Sequence, residues 1–171
     1  MLAFFKNIFQ PKIPNAAMAW ASIQNKAGNQ ASNRDKHAYW LYAVPVHLVL
    51  QRDTFSLAEP VPLVLNQAES DALTAALNQH FAEDGTQFFW HQKQWFLRLE
   101  SNPNIQTHAP QAALNMAVGA YLPTGEGATT WASFINEIQM LLFEHAVNIA
   151  REAKGLPAMN SVWCYGGGHI L

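Results

Sequence analysis

Apolar side chains recur three and four apart between residues 67 and 82. Ala72, Leu73, Ala76, Leu77 and Phe81 fall on one side of a helix there. Asn66 stands where an N-cap is wanted and Glu69 where a capping box wants its acid. The same spacing returns from Trp131 to Ala153, with Phe134, Ile138, Leu141, Leu142 and Ile149 as the buried side of one long helix. Thr129 or Thr130 is its expected cap, and Lys154, Gly155 and Pro157 are its stop.

Elsewhere the period is two, or the run is apolar throughout. Tyr39–Gln51 is dense in aromatic and β-branched residues and predicts one long strand. Pro45 sits inside it without an N–H for the ladder, so an edge or a bulge is expected at that point. "TFSL" and "VPLVL" predict short strands on either side of a turn at residues 58–60. "QFFW" and "QWFLRL" predict an antiparallel hairpin turning at 91–93, and Ser161–Tyr165 a last strand running into three glycines. The fold class that follows is α+β, a mainly antiparallel sheet packed against two principal helices, Gln67–Ala82 and Trp131–Ala153. Residues 1–36 read as an irregular segment holding a short helix near Ala16–Gln24 and an amphipathic turn at residues 4–9 stopped by Pro11. Residues 37–171 read as a single domain, shortened at its C-terminal edge.

Composition narrows the function more than the fold. The chain has 171 residues, half of them hydrophobic, 13% charged, with a formal net charge of −2. No basic stretch tracks phosphates, which argues against nucleic acid, and the low charge leaves room for a protein partner or for self-association. No apolar run is long enough for a membrane span. Cys164 is the single cysteine, so no intrachain disulfide is possible; the expected setting is cytoplasmic.

Candidate chemistry is sparse. The seven histidines (37, 47, 80, 91, 108, 145 and 169) form no HxxxH or HxH, and the aspartates are isolated, so neither a metal nor a cofactor is expected. There is no GxSxG, and Cys164 lies in an apolar run that suits a core residue better than a thiolate. What remains is "HAVNIAREAKG", which sets His145, Asn148 and Glu152 near one helical side with Arg151 beside them. A histidine and a guanidinium so placed suit a phosphate or a carboxylate. Gly166, Gly167 and Gly168 are able to bring N–H groups close to an anion, but no helix and no GK[ST] follows them.

The stretch "NEIQMLLFEHAVNIAREAKGLPAMNSVWCYGGG", together with "YLPTGEG" and "PVHLVLQRD", resembles a bacterial group of RpfE-type regulatory, phosphoglycerate-mutase-like proteins. The resemblance covers most of the chain after about residue 38. More faintly, the same stretch resembles archaeal-type, bisphosphoglycerate-independent phosphoglycerate mutases. Their helix with His-Pro-Val-Asn and an Arg, followed by Asn, Trp and glycines, is matched by His145, Val147, Asn148, Arg151, Asn160, Trp163, Gly166 and Gly168; Ala146 replaces the proline. The departures are as informative. Those mutases are about twice as long and use a nucleophilic Ser with two metals held by Asp and His clusters, none of which is matched here. Val44 stands where the bacterial group tends to carry Asp. The resemblance thus implies a non-catalytic regulatory or small-anion-binding domain, with His145, Asn148, Arg151, Asn160 and Gly166–Gly168 as candidate ligand contacts. Two alternatives stay open: a phosphoryl-transfer enzyme completed by further sequence or a partner, and a structural protein-interaction domain.

Overall fold

The computed structural model describes residues 14–171. Helices α1 (Ala16–Lys26) and α2 (Asn33–His37) lead into strands β1 (Tyr39–Gln51) and β2 (Thr54–Ala58). Helix α3 (Gln67–His80) precedes the hairpin of β3 (Gln87–His91) and β4 (Gln94–Leu99). Two 3-10 turns, Pro110–Ala113 and Val118–Tyr121, come before α4 (Ala128–Phe143), α5 (Ala146–Ala153) and β5 (Ser161–Gly168).

The sheet is antiparallel and β1 is its spine. Its first four residues pair with β4, its last five with β2, and Trp40 to Val46 with β5; β3 lies outside β4. Pro45 is buried in this strand, and its place is legible in the pairing. On one side the partner changes from β4, which ends at Tyr42, to β2, which begins at His47. Pro45 turns its missing N–H into that gap, and its carbonyl accepts from Leu63 N–H at 2.9 Å. Val46, one residue on, turns its carbonyl the other way, to Asn160 N–H at the start of β5. The proline therefore removes no ladder bond, because no strand lies opposite it on that side.

Alternation along the strands splits the apolar residues between two faces. Leu41, Ala43, Trp95 and Leu97 meet Leu73 and Leu77 of α3 and Ile138 and Leu142 of α4 in the larger core. Trp40, Tyr42 and Phe96 face the other way, against Ala16, Ala17 and Trp20 of α1. Trp20 stacks on Trp40 with ring centroids 5.3 Å apart. Farther along β1, Val46 and Leu57 pack with Ala113, Val118 and Trp163. α3 has the predicted capping box: Asn66 Oδ1 accepts from Glu69 N–H at 2.8 Å, and Glu69 Oε2 from Asn66 N–H at 3.0 Å.

Several expectations change. The helix expected over Trp131–Ala153 is two helices. Glu144 leaves helical geometry and His145 is extended, with φ −70° and ψ 135°. The Leu142 carbonyl accepts from Asn148 Nδ2 at 2.9 Å, while His145 Nδ1 accepts from Val147 N–H at 3.1 Å and caps the new helix. After this break Ile149 is exposed rather than buried. α4 starts at Gly127 without a side-chain cap, so neither Thr129 nor Thr130 fills that role. "VPLVL" pairs with no strand. The hairpin turn is Gln92–Lys93 alone, both at positive φ as a two-residue primed turn requires. Within residues 14–36, α1 is the short helix expected near Ala16–Gln24 and α2 is a second helix where an irregular path was expected; the amphipathic turn at 4–9 lies outside the described residues.

Candidate functional site

The structure gathers four of the residues singled out in the sequence around α5 and the start of β5. Asn148 is buried. Its amide donates to the Leu142 carbonyl at 2.9 Å and the Met159 carbonyl at 2.8 Å, and its Oδ1 accepts from Met159 N–H at 2.8 Å. Arg151 is only 5% exposed. Its Nε donates to the Pro157 carbonyl at 2.7 Å, and one terminal nitrogen donates to both carboxylate oxygens of Glu69, at 3.0 and 2.9 Å. Asn160 reaches β1, accepting from Leu48 N–H at 2.7 Å and donating to the Leu48 carbonyl at 2.9 Å. His145 is the cap described above.

These contacts fasten α5 to its surroundings. The two asparagines each pair with the N–H and the C=O of one residue, as a neighbouring strand would. Arg151 ties α5 to α3 through Glu69, which also closes the α3 capping box. The guanidinium charge is thus already met by a carboxylate inside the fold. A cleft of about 370 Å³ opens beside the pair, lined by Pro60, Leu63, Asn66, Glu69, Arg151 and Leu156 among others.

The three glycines lie elsewhere. They form the far end of β5, roughly 20 Å along the strand from Ser161. Close packing explains them. Gly166 has φ +68°, and a Cβ on it would stand 2.9 Å from the Tyr42 ring. A Cβ on Gly167 would overlap the Tyr39 hydroxyl, and one on Gly168 would stand 2.7 Å from Asn15 Nδ2. Around them, burial pushes the phenols of Tyr39, Tyr42 and Tyr165 up, and Tyr42 is pushed further by Tyr165. Tyr42 stays protonated and donates to the Pro14 carbonyl at 2.8 Å. Burial likewise pushes the Cys164 thiol up, which keeps it neutral among its core neighbours. Among the described residues no group of three or more His, Cys, Asp or Glu is placed to hold a metal ion, and no helix is long and apolar enough to cross a membrane.

A larger feature escaped the sequence reading. Between the tip of the β1–β2 hairpin and the outer side of α4 runs a groove of about 490 Å³, lined by Leu48, Phe55, Leu122, Trp131, Ile135 and Phe143 among others. Among the described residues its polar side chains are the amides of Asn136, Gln139 and Asn160, and none of those lining it is charged. Gln139 is held by Ser161 Oγ, to which its amide donates at 3.1 Å. The groove lies where β5 stops and β1 continues. Asn160 supplies the last rung beside Leu48, and beyond it Leu50 and Phe55 stand exposed. The signal available in the sequence was "QMLLF", apolar residues too closely set for one helical side to bury them all. Met140 is 75% and Phe143 81% exposed.

No family model and no curated protein matches the chain. Among solved structures it is similar to the cofactor-independent phosphoglycerate mutase from Thermoplasma acidophilum DSM 1728, with a TM-score of 0.60 and 15% identity. The match covers 95% of this chain and 44% of that one, so the chain spans less than half the length of the mutase. At this identity the likeness is one of fold: the mixed α+β architecture of this chain is phosphoglycerate-mutase-like.

Proposed function

We propose that this chain is a non-catalytic regulatory domain that works by binding a protein partner through the apolar surface between the β1–β2 hairpin and α4. The observation that carries this reading is the uncharged groove there, rimmed by large exposed apolar side chains. Contiguous apolar surface of this kind marks interaction sites, and a groove to which the described residues bring no ionisable group has little to offer acid–base chemistry or an anion. The regulatory part of the proposal rests on the resemblance of "NEIQMLLFEHAVNIAREAKGLPAMNSVWCYGGG" to the RpfE-type group. The test is a photo-crosslinking residue at position 140, with the same residue at the exposed position 36 of α2 as control, in cells that make the protein. Adducts with a defined protein at 140 and none at 36 are expected. Equal labelling at both positions, or none at either, sinks the reading.

A second reading has one observation behind it, the cleft beside Arg151 and Glu69. A phosphorylated or carboxylate small molecule bound there would have to share Arg151 with Glu69. Binding only to the folded chain would raise its unfolding temperature. A rise with 3-phosphoglycerate beyond that with phosphate or sulfate would favour this site, and equal behaviour of the three would remove it.

A further inference from the structure

We infer that the partner of this apolar surface is a second copy of the chain, docked about a two-fold axis so that Phe143 of each protomer enters the groove of the other; this rests on the interaction reading above. Three observations carry it. The surface has both halves of a contact on one side of the molecule. Phe143 and Met140 stand out from α4, while Leu48, Trp131 and Ile135 line the groove beside them. A two-fold interface makes every such contact twice, so one face must supply both the projection and the recess.

Area is the second. Leu50, Phe55, Leu122, Met140 and Phe143 are 61%, 48%, 47%, 75% and 81% exposed. Given the size of such side chains, they present on the order of 600 Å² of apolar surface, at the upper end of what a monomer leaves bare. With the flanking amides of Asn136 and Gln139, this approaches the ~800 Å² per partner that a stable interface buries.

Charge is the third, and it separates a second copy from other protein partners. A surface that meets itself meets its own charges, and like charges in contact repel. Among the described residues, none that lines this groove is charged. The sixteen residues of α4 hold one, Glu137, and His80 Nε2 lies 2.7 Å from its carboxylate. Glu144, exposed beside Phe143, is the charge that such a contact must turn outward, and no described residue lining the groove selects a charged stranger.

Sedimentation equilibrium of the full chain, at tens of micromolar, tests the inference with wild type, Phe143→Glu and Met140→Glu, each checked for an unchanged unfolding transition when diluted. A wild-type dimer with both variants shifted to monomer is the expected result. A dimer that survives both substitutions overturns the inference, since it would use another face. A wild-type monomer overturns it too. If the crosslinker at position 140 then still captures a different protein, the interaction reading stands without self-association; if it captures nothing, both readings fall. A monomer whose groove binds a hydrophobic dye only after residues 1–13 are removed would assign the groove to that segment instead.

Discussion

Two margins of the sheet are finished in opposite ways. On the outer side of β3, Asn78 of α3 donates to the Phe88 carbonyl at 2.9 Å and accepts from Phe88 N–H at 2.7 Å. Trp90 Nε1 donates to Asp71 at 3.0 Å, so two residues of α3 hold that margin. At the hairpin end of β1, Asn160 does the same for Leu48, but no described residue continues the cover. Leu50 and Phe55, the next side chains on that face, are exposed. One asparagine stands in for one residue of a strand in both places. The first belongs to a helix that also seals the edge; the second is the last rung before an open groove. An edge left bare in this way is a place for association unless something blocks it. The difference therefore locates where this fold is complete and where it is not.

That comparison can be broken at several points. The largest effect is expected at Asn148, the third asparagine of this kind and the most buried. Asn148→Ala leaves the Met159 N–H and carbonyl without partners, while the Leu142 carbonyl keeps the His145 N–H, at a cost of about 3 kcal/mol in chemical denaturation. A loss under about 1 kcal/mol would show that water replaces the amide and that α5 is not fastened by it. Arg151→Ala strands Glu69 with 18% of its side chain exposed, and about 2 kcal/mol is expected, since partial exposure moderates the cost of breaking such a pair. Glu69→Gln keeps a capping acceptor and should cost less, measured in the same way.

The two margins are then set directly against each other. Asn78→Ala opens backbone groups of the buried Phe88 and should cost about 2 kcal/mol, whereas Asn160→Ala acts beside a groove that water enters and should cost about 1 kcal/mol. Equal losses in thermal unfolding would mean that the open margin is as dry as the closed one. The smallest effect on stability belongs to Leu50→Ser and Phe55→Ser, within about 0.5 kcal/mol because both side chains are exposed. Their effect should appear in sedimentation, as weaker self-association.

What the sequence displayed depended on whether the cause was local. Tyr39–Gln51 was readable as one strand because its composition says so residue by residue. The Asn66–Glu69 box was readable because both partners lie within one turn. The break at Glu144–His145 was not, because Asn148 makes it by taking a carbonyl that a continuous helix would have used, and "FEHAVNIA" on its own is compatible with an unbroken helix. Asn148 and Asn160 were singled out as ligand contacts for a related reason. Polar residues at helical spacing near a glycine run suggest a site, while their actual partners, Met159 and Leu48, are fixed only by the tertiary fold. The glycines gave the same difficulty: their need for small size comes from Tyr39, Tyr42 and Asn15, more than a hundred residues away in the chain.

The strand at the centre of the sheet carries a consequence for how the protein is made. β1 and Asn160 are joined across 112 residues. Synthesis delivers β1 more than a hundred residues before β5, so while that stretch is made one side of the spine has no ladder. Until Asn160 and Ser161–Gly168 leave the ribosome, Trp40 to Leu48 offers a bare, strongly apolar edge to any neighbouring chain. Pairings this distant also make for slow closure of the sheet. The nascent protein passes through a period in which its best-formed strand is its most exposed one, and chaperone dependence would be felt there first.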